Sequence, residues 1–123
     1  MTDVDRSEPI LDLEVVAELR ASTGDDDEFM RDLIATYVDE ATGHLDAMAS
    51  AVDAGDPAAI VRPSHTLKSS SASLGALRLA AICRGIEAAG REERADRLAD
   101  DVELARTTWA ATLDALRREE LVA

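Results

Sequence analysis

The chain has 123 residues and a formal net charge of −13, long enough for one domain with a real core and too acidic for a nucleic-acid partner, whose phosphates need clustered cations. The same charge excludes an anionic membrane surface, and no apolar run approaches the roughly 18 residues of a membrane span. The opening MTDVDRSEPI has no signal-peptide character, and a lone Cys83 forms no internal disulfide, so a reducing, cytoplasmic location is expected.

Aromatic residues are reduced to Phe29, Tyr37 and Trp109. Ala, Leu, Glu, Asp and Arg dominate instead, a helical composition rather than a sheet-forming one. Residues 1–9 are polar and end in Pro9, which reads as a flexible N-terminal arm; residues 10–121 read as a single domain. A short first helix runs from Ile10 to about Ala21, with Ile10, Leu11, Leu13, Val16 and Leu19 on its apolar side. Gly24 offers a stop. Asp25 with Glu28 forms a capping box for a second helix over about 26–54, and Asp26 and Asp27 add negative charge at its positive end.

In that second helix Ile34, Tyr37, Ala41, Leu45, Met48 and Val52 recur at steps of three and four, an unbroken apolar stripe. Gly55 ends it, and Asp56-Pro57 opens a third helix to about Ser73 as N-cap and first helical residue. After Gly75 a fourth covers about 76–89, with Leu79, Ile82, Cys83 and Ile86 inward and Gly90 closing it. A fifth starts near Glu92 or Arg94, carrying Leu98, Val102, Ala105, Trp109, Leu113 and Leu116. Four long amphipathic helices on short links predict an all-α, antiparallel up-down four-helix bundle, the short N-terminal helix capping one end.

The third helix carries the chemistry. On a wheel at 100° per residue, Ile60, Leu67 and Leu74 form the buried line, with Pro63, Ser70 and Ser71 beside it. His65 falls almost opposite, among Ala58, Val61, Arg62, Lys68, Ser69 and Ala72. Such a histidine is either an inert surface residue or a reactive one, and two features favour reactivity. Residues 57–86 contain no Asp or Glu although the chain has 26 acids, and the window holds Arg62, Lys68, Arg78 and Arg84. Lys68 is also the only lysine, one turn from His65, and lysine meets a phosphate as a compact point charge.

An imidazole held in water, beside a cation and away from carboxylates, suits covalent phosphoryl transfer. A neutral ring nitrogen attacks the donor and becomes a phosphoramidate; Lys68 disfavours ring protonation and offsets charge on the product. Ser69, at i+4, either adds a hydroxyl or keeps the approach narrow. A P-loop, a kinase glycine loop and clustered aspartates for Mg²⁺ are all missing. The group therefore arrives ready-made, and the partner brings the metal.

Residues 65–76, HTLKSSSASLGA, resemble the signature of histidine-containing phosphotransfer (HPt) domains, H-x-L-K-G-S-[SA]-x-x-[LI]-G-[AL]. The resemblance spans about residues 10–120 and includes D-D-D-E-F, A-G-D-P and L-A-A-I-C-R-x-I-E. It implies that His65 is the phosphoacceptor, that Lys68 stabilises the phosphoryl group, and that Gly75 sets the turn after the helix. It further implies a basic residue near the histidine from the end of the next helix, here Arg91. The implied partners are a response-regulator receiver domain with its phosphorylatable Asp and Mg²⁺, and a hybrid histidine kinase. The carrier itself is expected to be a monomer without kinase activity or a cofactor of its own. Val61, Arg62 and Ala72 are the expected partner-docking residues. Ser69 departs from the family glycine, and slower or more selective docking is expected from it. Pro63 is expected to kink the helix locally.

Blander readings stand beside these. His44 follows Glu40 by four residues, yet the Glu-x-x-His pairs of bundle metal sites are absent. Cys83 reads as a small core residue, and the serines around 69–73 as packing residues. Arg78 and Arg84 balance acids on neighbouring helices. Phe29 and Leu33 read as core, or else as an apolar patch beside Val61. The competing function is a helical adaptor or inhibitor that binds a receiver or kinase without being phosphorylated. A metal- or haem-binding bundle is a third class.

Overall fold

The computed structural model describes residues 8–122, among which five α-helices and one 3-10 turn occur and no strand. Helix α1 spans Leu13–Ser22, α2 Asp27–Asp53, α3 Val61–Leu74, α4 Leu77–Arg91 and α5 Leu98–Arg118; the 3-10 turn is Pro57–Ile60. Helices α2 to α5 form a closed ring of neighbours, α2 packing on α3, α3 on α4, α4 on α5 and α5 back on α2. Short links reverse the chain each time, so this is the expected antiparallel bundle.

The apolar stripes read from sequence meet in one core. Met30, Ile34, Leu45 and Met48 of α2 lie against Leu67, Leu79, Ile86 and Leu116, all fully buried. Tyr37 and Trp109 meet edge to face at 5.4 Å between ring centroids, linking α2 to α5 in the geometry that aromatic quadrupoles favour. The Tyr37 hydroxyl is satisfied by the Ser71 hydroxyl at 2.8 Å, and burial pushes its pKa up. Serine on α3 thus solves a packing problem, as Ser64 also does by donating back to the Ile60 carbonyl at 2.7 Å.

Several boundaries differ from expectation for identifiable reasons. Helix α1 starts at Leu13, not Ile10, because Asp12 caps it by accepting from the Glu14 amide; Leu13 is then half exposed. Asp26, not Asp25, caps α2, taking the Phe29 amide at 3.0 Å. Asp25 instead adopts a left-handed φ of 58° and returns its amide to the Arg20 carbonyl, closing α1. The expected third helix is two pieces, a 3-10 turn capped by Asp56 and then α3. Pro63 therefore falls in the first turn of α3, where an amide has no intrahelical partner, and its missing N–H costs nothing there. Gly75 ends α3 at φ 88°, as the turn demands.

Gly90 does not close α4; it lies inside it. A Cβ there would sit 2.6 Å from Ile60 Cγ2, 2.9 Å from the Pro57 carbonyl and 3.0 Å from Val61 Cγ2. The glycine lets α4 press directly on the 3-10 turn and the start of α3. Glu93, at φ 53°, makes the reversal instead, and α5 begins only at Leu98.

Residues 1–7 of the expected flexible arm lie outside the described residues. Glu8 and Pro9 are fastened, their carbonyls accepting from Arg78 Nε at 2.8 Å and the Arg78 amide at 2.9 Å. Arg78 thus serves the chain before α1 rather than balancing an acid. With the Asp12 amide donating to the Gly75 carbonyl at 2.8 Å, α1 clasps the α3–α4 turn. That end lies about 15 Å along α3 from His65, at 1.5 Å per residue.

Glycine substitutions should separate close packing from simple flexibility. Gly90→Ala is expected to destabilise by about 2 kcal/mol through overpacking. Gly43→Ala in α2, whose new methyl would meet nothing within 4 Å, should stabilise by about 1 kcal/mol. Urea unfolding monitored by helical circular dichroism checks both.

Candidate functional site

Helix α3 presents His65 outward, its side chain 54% exposed, as the wheel requires. Arg62, Ser69 and Ala72 are exposed on the same face, and Val61 is half-buried, where it meets Gly90. The expected clearing of carboxylates around the ring is not found. Glu87, the first acid after the acid-free window, extends from α4 and places Oε2 3.0 Å from His65 Nδ1.

Glu87 is the hub of the site. Its side chain is only 8% exposed. Arg91, one turn on along α4, donates Nε and Nη2 to Oε2 at 3.1 and 2.8 Å. Lys68 Nζ lies 2.7 Å from Oε1, a close ion pair that engages the second carboxylate oxygen. A carboxylate sealed this far from water is tolerable only with such partners. The Lys68 ammonium above all, with help from Arg91 and His65 and against the opposing effect of burial, holds the Glu87 carboxyl down at about 2.

An ionised carboxylate can only accept hydrogen bonds. His65 Nδ1 must therefore carry a proton and donate it, and in the neutral ring the lone pair falls on Nε2. The second partner of an imidazole selects its tautomer, and here Glu87 selects the one that makes Nε2 a nucleophile.

Lys68 and Arg91 converge on the site as expected, but both bind Glu87 rather than the imidazole. The anion that the cation-rich window accommodates is, at rest, the protein's own. Ser69 is exposed one turn from His65, and its hydroxyl has no hydrogen-bond partner among the described residues. Arg84 is exposed; like Arg62, it makes no ion pair among the described residues, so it balances no neighbouring acid.

Phe29 is 50% exposed, contrary to its reading as core, whereas Leu33 packs against the core. Nor does Phe29 lie beside Val61. Tyr37 is level with Ser71, and counting outward along antiparallel helices puts Phe29 and His65 about 20 Å apart along the bundle. Cys83 is fully buried, and burial, reinforced by the Glu87 charge, pushes its thiol up to about 12, which makes it inert. No three His, Cys, Asp or Glu side chains are grouped as a metal site among the described residues.

Glu87 escaped the sequence reading, although a signal was present. It follows Cys83 by four residues and adjoins Ile86, on the border of the stripe that α4 buries. A carboxylate there needs a partner, and the candidates were the cations already noted.

The sequence matches the Hpt domain family over residues 32–119. The chain belongs to the Hpt domain family. Among solved structures it resembles histidine-containing phosphotransfer protein B (HptB) from Pseudomonas aeruginosa PAO1, with a TM-score of 0.83 and 28% identity over 90% of this chain and 94% of that one. Comparison with curated proteins gives no match. As an Hpt domain the chain is a phosphotransfer carrier of phosphorelays, and members of this family work with response-regulator receivers. No helix among the described residues is long and apolar enough to cross a membrane.

The depressed Glu87 pKa ties stability to acid pH. A carboxylate whose pKa is lowered by folding stabilises the fold above its unfolded value near 4.5 and loses that contribution as pH falls toward about 2. Wild-type stability should therefore drop more steeply between pH 4.5 and 2 than that of Glu87→Gln, with all other acids common to both. Thermal melts across that window measure the difference.

Proposed function

We propose that this Hpt domain accepts a phosphoryl group on His65 Nε2 and exchanges it with the aspartate of a response-regulator receiver domain. The observation that carries the assignment is the contact of His65 Nδ1 with Glu87 at 3.0 Å on a half-exposed ring; in the neutral ring it places the proton on Nδ1 and the lone pair on Nε2. In the accepting direction the Nε2 lone pair forms the N–P bond. The P–O bond of the aspartyl phosphate breaks, and its electron pair leaves with the carboxylate.

Lys68, with its head 2.7 Å from Glu87 and one turn from His65, is the cation assigned to the phosphoryl oxygens. Its flexible stem permits that movement. Arg91 keeps Glu87 in place and lends further positive charge. Val61, Arg62 and Ala72 form the surface on which the receiver seats, with the Ser69 hydroxyl at the point of closest approach. The receiver supplies Mg²⁺, and a hybrid histidine kinase supplies the phosphoryl group upstream. The carrier itself, a cytoplasmic monomer, neither binds nor cleaves ATP.

Incubation with a panel of phosphorylated receivers should transfer an acid-labile, alkali-stable label to the protein. His65→Gln should abolish the label and His44→Gln should retain it. Lys68→Ala should slow transfer by tenfold or more, roughly the scale of losing one charge-stabilising group. Tight receiver binding without label in either direction would instead identify an unphosphorylated adaptor.

A further inference from the structure

Glu87 answers two demands that conflict once the phosphoryl group arrives. At rest its carboxylate is one negative charge set among Lys68, Arg91 and the His65 N–H, which leaves the pocket one net positive charge. A phosphoryl group on Nε2 brings up to two further negative charges to the other edge of the same ring. It needs the cations that Glu87 already holds. Glu87 is shielded from water, so in this arrangement carboxylate and phosphoryl share Lys68 and Arg91.

The bond to Nδ1 acts in the same direction. When the N–P bond breaks, its electron pair returns to Nε2. A ring that still carries its Nδ1 proton departs as neutral imidazole, whereas a ring that has lost it would depart as imidazolate, a far poorer leaving group. The carboxylate opposite Nδ1 favours the protonated phospho-ring, the form ready to give up its phosphoryl group. Repulsion raises the energy of the loaded state, and the retained proton lowers the barrier to unloading.

We propose that Glu87 is a positioning residue that sets the transfer potential of the phosphorylated carrier, keeping phospho-His65 short-lived and inclined to pass its group on. This rests on His65 being the phosphoacceptor. Glutamine is the informative replacement, since its amide oxygen can still accept from Nδ1 while the charge is gone. Lys68 and Arg91 are then free for the phosphoryl oxygens.

The test needs no cognate partner. Wild type, Glu87→Gln, Glu87→Asp and His65→Gln are loaded with potassium phosphoramidate, whose P–N bond to ammonia breaks as Nε2 attacks. After removal of the reagent, loss of phosphohistidine is followed by ³¹P NMR at neutral pH. Phospho-His65 should persist about tenfold longer in Glu87→Gln than in wild type, the scale of one charge interaction near a protein surface. Glu87→Asp, which keeps the charge, should return the lifetime toward wild type. A glutamine variant no longer-lived than wild type overturns the proposal, as does an aspartate variant that lasts as long as the glutamine one. Equal labelling of wild type and His65→Gln would instead remove the underlying assignment of His65, a separate failure.

Discussion

A single carboxylate, Glu87, joins the two helices that make the site. Its oxygens collect a ring N–H from α3, an ammonium from α3 and a guanidinium from α4, and the two contacts from α3 exist only once the helices have packed. The nucleophile is therefore assembled by the fold rather than carried by α3 alone. A buried charge that loses its partners is strongly destabilising, so the constellation also resists rearrangement. Gly90 serves the same end by bringing α4 against the 3-10 turn and Val61, which sets the distance across which Glu87 must reach.

The wider charge distribution follows from that centre. In a molecule of net charge −13, residues 57–86, which include His65, hold no acid, and the carboxylate that meets the ring is Glu87, buried from α4. Two arginines of the same window, Arg62 and Arg84, remain exposed without an ion pair among the described residues. The opposite end of the bundle is devoted to closure, where Arg78 and Asp12 tie the chain before α1 to the α3–α4 turn. Chemistry and fastening are kept at separate ends of α3.

Much of this was legible in the sequence, because periodicity reports burial directly. The stripes of α2, α4 and α5, the outward aim of His65, the convergence of Lys68 and Arg91 and the glycine turn at Gly75 follow from spacing and resemblance. Boundaries were less legible where two residues compete for one role. Adjacent aspartates at 25 and 26 are both good caps, and only the return of the Asp25 amide to Arg20 decides between them. Gly90 reads as a helix stop because local sequence cannot distinguish a glycine needed for φ from one needed for close approach. Glu87 was hidden for a different reason. An acid-free stretch looks like the rejection of carboxylates, whereas Glu87 lies just past its end and is brought to His65 from the next helix by tertiary packing.

Phosphoryl acceptance at Nε2 depends on which nitrogen of His65 bears the proton before phosphorylation. Two-bond ¹⁵N–¹H correlation spectra of the ¹⁵N-labelled protein, recorded at a pH where the ring is neutral, report this directly. His65 should show a protonated Nδ1 and a pyridine-like Nε2, with that distinction weakened in Glu87→Ala. A His65 ring protonated at Nε2, or one whose tautomers are indifferent to the loss of Glu87, would contradict this.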